Sequence, residues 1–251
     1  MIAYQDEFIT LVHGKYQDYA SSVIGDQRVD AIVTDPPYGE TSLIWDRWVD
    51  GWLADAAEIT DSLWCWGSFR MFQEHAAEFA AHWKLSQDFV WEKHNGSGFH
   101  ADRFKRVHEL AAHWYRGDWA GIHHVVPTTA DAAPRTVRRK TRPTHTGHIE
   151  ESAYVSEDGG PRLMRSVQYA RSEHGRAIHP TQKPLGVLTP LIEYSVPAGG
   201  LVVDLFSGSG SVALAARQSG RRCIAFEVSG DYIGRSVERL SRRELFEGVH
   251  G

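Results

Sequence analysis

Residues 201–227 constrain the fold of this chain more than any other stretch. Leu201-Val202-Val203-Asp204 is an apolar run ending in an acid and reads as a buried strand. Leu205-Phe206-Ser207-Gly208-Ser209-Gly210 follows as a glycine-rich loop, and Val212, Leu214, Ala215 and Ala216 open a helix pattern. Arg222-Cys223-Ile224-Ala225-Phe226 is a second strand, closed by Glu227. Gly208, Gly210 and Ala213 hold the G-x-G-x-x-G/A spacing, in which glycines let the backbone approach a ligand closely. Glu227 lies about 20 residues further on, where such units place the acid that binds ribose hydroxyls. Strand, loop, helix, strand and acid in this order predict a site for an adenosine-containing cofactor; the competing reading is a tight turn with no ligand.

The same alternation runs through the first half. Residues 8–12, 29–34, 62–66, 88–91 and 110–115 read as strands, and 16–24, 52–59 and 69–83 as helices. This predicts an α/β fold with a mostly parallel sheet and helices on both faces. From Gly117 to about Ile178, proline, threonine, glycine and arginine replace the periodic apolar residues, which predicts an insertion of short strands or long loops.

A second feature lies at the end of a predicted strand. Asp35-Pro36-Pro37-Tyr38 follows Ala31-Ile32-Val33-Thr34. Two prolines end the strand abruptly, because neither can donate to a ladder. An acid and an aromatic are thus held on a stiff turn at the carboxyl edge, where open α/β sheets bind ligands. Chemically, Asp35 and the Pro36 carbonyl suit the two N–H groups of an exocyclic amine on a nucleobase. Tyr38 offers a face on which an extruded base can stack. The plain alternative is a Pro-Pro turn with an exposed aspartate.

Taken together, Asp35-Pro36-Pro37-Tyr38, Asp204-Leu205-Phe206-Ser207-Gly208-Ser209-Gly210 and His179-Pro180-Thr181-Gln182-Lys183-Pro184 resemble the amino-methyltransferases that modify DNA with S-adenosylmethionine. The resemblance covers nearly the whole chain outside residues 117–178. The tetrapeptide precedes the glycine loop, which is similar to the circularly permuted β class and implies a Rossmann-like sheet in permuted order. The implied division is 1–116 as catalytic half, 117–178 as target-recognition insertion and 179–251 as cofactor-binding half. The resemblance implies catalytic roles for Asp35, Pro36, Pro37 and Tyr38. It implies cofactor contacts from Asp204, Phe206, Ser207, Gly208, Gly210, Glu227, His179, Thr181 and Lys183. Among these, Phe206 is expected beside the adenine or methionine moiety, Asp204 on the methionine amino group or the loop backbone, and Lys183 facing the cofactor carboxylate. Pro180 and Pro184 are expected to shape the start of a helix over 185–194, with Thr181 as its cap. Trp45-Asp46 resembles a short element after the catalytic turn and receives no role. The expected target is N6 of adenine in double-stranded DNA, reached by base flipping. In that family a leading aspartate goes more often with adenine, and nothing physical in Asp35 excludes N4 of cytosine. RNA is a weaker alternative.

The formal net charge of −5 suits a DNA binder poorly, but the average hides a basic stretch. Arg135, Arg138, Arg139, Lys140 and Arg142 follow one another with no acid from Pro134 to His148, and are expected to contact phosphates. A solvated loop is the alternative. At 251 residues and 42% hydrophobic content, the chain can bury one sizeable core. Its first residues lack a signal-peptide pattern, and no run approaches the roughly 18 apolar residues of a membrane span. Cys65 and Cys223 are expected to be reduced core thiols, and the expected location is the cytoplasm of a bacterial or phage-infected cell. Fourteen histidines show no metal-ligand spacing, so no metal is expected. A homodimer is expected only by resemblance. Two other classes compete: a nicotinamide-dependent oxidoreductase, which leaves the Pro-Pro turn unexplained, and a catalytically idle DNA-binding protein, which has no need of Asp35, Tyr38 and the glycines.

Overall fold

In chain order the elements are β1 (Ile2–Gln5), β2 (Ile9–His13), α1 (Tyr16–Ile24), β3 (Ala31–Thr34), α2 (Trp52–Ile59), β4 (Ser62–Gly67), α3 (Phe69–Glu74), α4 (Ala76–His82), β5 (Lys84–Ser97) and β6 (Arg106–Tyr115). They continue with β7 (Thr128–Thr129), β8 (Arg135–Arg139), β9 (Ser152–Ser156), β10 (Arg162–Leu163), β11 (Val167–Ala170), α5 (Leu185–Ser195), β12 (Leu201–Asp204), α6 (Ser211–Gln218), β13 (Arg222–Glu227) and α7 (Gly230–Ser241). The structure is a computed structural model and describes residues 1–97, 101–139, 152–173, 175 and 177–242. Two units are present: Met1–Val125 with Ser166–Gly251, and Val126–Arg165.

The larger unit is built on a 9-stranded sheet of order β1-β2-β13-β12-β3-β4-β6-β5-β11. Neighbours from β2 to β4 are all parallel, while β6 runs antiparallel to both β4 and β5. Every residue of β3 and β12 is buried, as expected of strands covered on both faces. Period-two alternation divides the apolar side chains between two layers. Val33 and Val202 pack with Leu188 and Leu191 of α5, Val212 and Ala215 of α6, and Leu240 of α7. Ile32 and Val203 pack with Tyr16 of α1, Trp52 and Leu53 of α2, Met71 of α3 and Phe79 of α4. The chain winds outward from β12 through α6 to β13, and in the opposite sense from β3 through α2 to β4. The winding therefore reverses between β12 and β3, the place where open α/β sheets leave a crevice.

Several expectations need adjustment. The helix read over 69–83 breaks at His75, which has φ −106° and ψ 13° and stacks its ring on Trp48 at 3.6 Å. β5 and β6 begin earlier or run longer than their apolar runs, because their polar ends also pair in the antiparallel ladder. β1 adds an edge strand, and β11, from within the irregular stretch, pairs in parallel with β5. The smaller unit holds two antiparallel ribbons, β7 with β10 and β8 with β9.

Candidate active site

β3 and β12 are adjacent and parallel, so the Asp35 turn and the glycine loop emerge side by side. The Thr34 hydroxyl donates to Asp204 Oδ1 at 2.8 Å, and the Phe206 N–H donates to the same oxygen at 3.2 Å. Asp204 thus binds the loop backbone, and it is only 2% exposed. Burial pushes its carboxyl up to about 7, against these two hydrogen bonds and with help from the Asp35 and Glu227 carboxylates. Gly208 (φ +52°) and Gly210 (φ +69°) take left-handed backbone that a side chain would resist, and Gly210 caps α6. A Cβ at Gly208 would also meet the His179 ring at 3.4 Å. At the end of β13, Glu227 accepts the Gly208 N–H on one oxygen and the Ser229 N–H on the other, each at 2.7 Å. The neighbouring loop is therefore built around this carboxylate, which burial pushes upward in pKa.

Both strand ends open into one cavity of about 330 Å³. Asp35, Pro36, Pro37, Tyr38, His179, Thr181, Lys183, Phe206, Ser207, Gly208 and Glu227 all line it. Asp204 and Gly210 stand outside that lining and shape the loop. Phe206 presents its ring between the edges of Tyr16 and Trp52, with centroids 5.7 and 5.8 Å away. Ser207 Oγ is buried in the wall without a hydrogen-bond partner. His179 packs against Tyr232 at 4.2 Å and Trp45 at 5.3 Å. Burial, and then Lys183, lowers its pKa to about 4, so the ring is neutral at pH 7. Its Nδ1 accepts the Thr181 N–H at 3.3 Å, which places the ring proton on Nε2. Thr181 therefore serves His179 and not the helix: the N-cap of α5 is Pro184, with no side-chain cap bond. The cap assigned to Thr181 from sequence is wrong because the His179 ring is the nearer partner.

Asp35 is held from both sides. The Tyr38 hydroxyl donates to Oδ1 and the Lys183 ammonium to Oδ2. Lys183 also pairs with Glu109 of β6 at 3.1 Å, and Glu109 pairs in turn with Lys93 of β5. Burial would raise Glu109, yet the two ammoniums outweigh it and hold the carboxyl at about 2. For Asp35 burial prevails over Lys183, and the pKa is raised. Lys183, expected to face a cofactor carboxylate, is directed at Asp35 and Glu109 instead. Tyr38 is half-buried against the α2 layer.

Other contributors were not legible in sequence. Asp46, only 3% exposed, accepts the Gly39 N–H at 2.8 Å and the Thr41 N–H at 2.7 Å, and so fixes the loop after the Asp35–Tyr38 turn. Lys15, Tyr16 and Gln17 at the start of α1, and Ser229 and Tyr232 of α7, complete the cavity wall. In the smaller unit, Arg135 is exposed at the start of β8, and Arg138 and Arg139 follow in the same strand. Lys140 and Arg142 lie outside the described residues. Among the described residues no group of His, Cys, Asp and Glu has the arrangement of a metal site, and no helix is long and apolar enough to cross a membrane.

Known proteins are similar to this chain in sequence and in fold. YubD of Escherichia coli (strain K12), which carries a methylase designation, is 29% identical over 238 residues, covering 88% of this chain and 86% of YubD. The fold is similar to that of the M1.HpyAVI–SAM complex, with a TM-score of 0.63 at 21% identity, covering 92% of this chain and 99% of that one. It is equally similar to the cytosine-N4-specific PvuII DNA methyltransferase, with a TM-score of 0.63 at 16% identity, covering 97% and 90%. A family model for N6/N4 methyltransferases, described as DNA methylase, matches residues 29–238, from just before β3 into α7. With that match spanning both strand-end loops and the cavity between them, the chain belongs to the DNA methylase family.

Proposed function

We propose that this protein transfers a methyl group from S-adenosylmethionine to N6 of adenine in double-stranded DNA, on a base flipped out of the helix. The observation that carries this reading is the single cavity shared by the Asp35–Tyr38 turn and the glycine loop. In this reading the Asp35 side of the cavity takes the target amine and the glycine-loop side takes the nucleoside of the donor.

The residues suit the donor. Glu227 keeps carboxylate oxygens at the cavity wall for ribose hydroxyls, Phe206 offers an apolar face, and buried Ser207 Oγ awaits a partner. When bound, S-adenosylmethionine supplies an electrophilic methyl group on a sulfonium sulfur. The protein's part is to present the amine. Asp35 accepts one of its N–H groups and the Pro36 carbonyl the other, which localises the nitrogen lone pair. Oδ1 becomes available when Tyr38 releases it, and the freed ring then stacks on the base, worth about 1–3 kcal/mol. Pro37 stiffens the turn. Alignment alone removes roughly 7–11 kcal/mol of barrier, so no strong base is needed before attack, and the amine proton leaves afterwards.

The order of β3 before β12 in sequence, with both adjacent in the sheet, supports the permuted β class. We assign the insertion within 117–178 to target recognition, with phosphate contacts from Arg135, Arg138, Arg139, Lys140 and Arg142. Tritiated methyl transfer to unmethylated DNA, followed by base-resolution mapping, tests the reading. N6-methyladenine is the expected product. N4-methylcytosine would overturn the base assignment, and absence of any transfer would overturn the activity.

A further inference from the structure

Asp35 belongs to a largely buried chain of alternating charges, in which Lys183 is buried and the other three members are partly so. Lys183, 5% exposed, bridges Asp35 and Glu109, and Glu109 is shared with Lys93. The set is electroneutral: two ammoniums and two carboxylates. Each ammonium also rests over an indole, Lys183 over Trp66 at 5.4 Å and Lys93 over Trp91 at 4.8 Å. The members come from separate elements: the turn after β3, the segment before α5, and the paired strands β5 and β6. Asp35 and Lys183 line the cavity, whereas Glu109 and Lys93 stand behind it.

A lysine with Asp35 as its sole partner would compete with the substrate amine for that carboxylate. A second carboxylate beside the same ammonium divides its charge attraction and anchors it from behind. We infer that Glu109, held by Lys93, is a positioning residue that acts through Lys183 to keep Asp35 oriented and available to the target amine. This inference rests on the amine-binding role proposed for Asp35. The charged and titratable groups facing Asp35 are Tyr38 of its own turn, Cys65 of β4, Glu109 of β6, Asp204 of β12 and Lys183. Of these, Lys183 lowers the Asp35 pKa and Glu109 raises it. Removing each therefore moves Asp35 in opposite directions.

The test is a carbon-13 NMR titration of the Asp35 carboxyl, assigned with Asp35→Asn, alongside single-turnover methyl transfer across pH. In Lys183→Met the Asp35 midpoint and the acid limb of the rate are expected to rise, by about 1–3 pH units. In the isosteric Glu109→Gln both are expected to fall, with transfer at the plateau slowed at least about tenfold and cofactor affinity unchanged. A merely structural role for Glu109 would change stability and leave the plateau rate of the folded Glu109→Gln protein in place. Unmoved midpoints in both variants would overturn the inference, whatever the activity. Opposed midpoint shifts in a protein that transfers no methyl group would uphold the coupling and overturn the function proposed above.

Discussion

Replacing Asp204 with asparagine is expected to stabilise the protein, by an amount that grows with pH. Asp204 is 2% exposed, and among the described residues no cation faces it; its partners are the Thr34 hydroxyl and the Phe206 N–H. An asparagine carbonyl accepts both. Burial lifts the carboxyl from 3.8 to about 7, so between these values the folded chain holds a proton that the unfolded chain has lost. Stability therefore falls as pH rises through that window, and levels off above it. Asparagine does not titrate, so its advantage over the native residue rises up to tenfold in the folding constant per pH unit, reaching about 4 kcal/mol above pH 7. Urea unfolding of both proteins from about pH 5 to about pH 8 measures the difference, which cancels other titrating groups. Asp204→Ala, which strands both donors, should instead cost about 1–3 kcal/mol. A pH-independent difference would refute the reasoning. So would an asparagine variant that loses ground as pH rises, because the carboxylate would then be favoured by folding.

Three further outcomes are expected. Asp35→Ala should abolish methyl transfer in a tritium assay while calorimetry still detects cofactor binding; wild-type turnover would remove Asp35 from the mechanism. Glu227→Ala frees the Gly208 and Ser229 N–H groups and removes the acceptor proposed for the ribose, so the cofactor Kd should rise by about 10–100-fold at the usual 1.5–3 kcal/mol for hydrogen bonds to a charged group. An unchanged Kd would place the ribose elsewhere. Asp46→Ala should loosen the loop after the Asp35–Tyr38 turn at a cost of about 2–3 kcal/mol, seen as a lower Tm and faster proteolysis between residues 39 and 46. Because backbone and Thr41 hydrogen bonds hold the Asp46 pKa below 3.8, that contribution is present above 3.8 and is lost as pH falls through the lower folded value.

The two strand-end loops were legible in sequence because their signals are local. A continuous apolar run marks a strand buried on both faces, and prolines or glycines mark where it must stop. The partner of Lys183 was not legible. Glu109 and Lys93 are charged residues at the polar ends of β6 and β5, and charge in a predicted strand reads as its termination. Glu109 stays in the ladder opposite Trp91, and Lys93 pairs with Ala170 of β11, because each finds an opposite charge and so tolerates partial burial. Nothing local encodes that pairing, since antiparallel register brings together residues that sequence periodicity treats separately. The break at His75 was hidden for a similar reason: the Trp48 ring that receives it lies on a distant loop. Thr181 shows the converse error, a capping residue at a plausible offset that found a nearer partner in His179.

The reversal of winding between β12 and β3 explains why both loops can serve one reaction. Adjacent strands stand about 4.8 Å apart, so loops leaving neighbouring ends can touch one ligand and its reaction partner together. An intervening strand would double that separation and fill the gap with its own exit loop. Winding in one direction would also put such a loop across the cavity, because each strand would lead directly to its neighbour. Reversal leaves β3 and β12 adjacent in space while α2 and α6 lead away on opposite faces. The Thr34–Asp204 hydrogen bond then ties the last residue of one strand to the last of the other, and fixes the heights of the Asp35 turn and the Phe206 loop relative to each other. Sequence order does not enter this geometry. Either strand can come first in the chain, provided the two meet at the point where the winding turns.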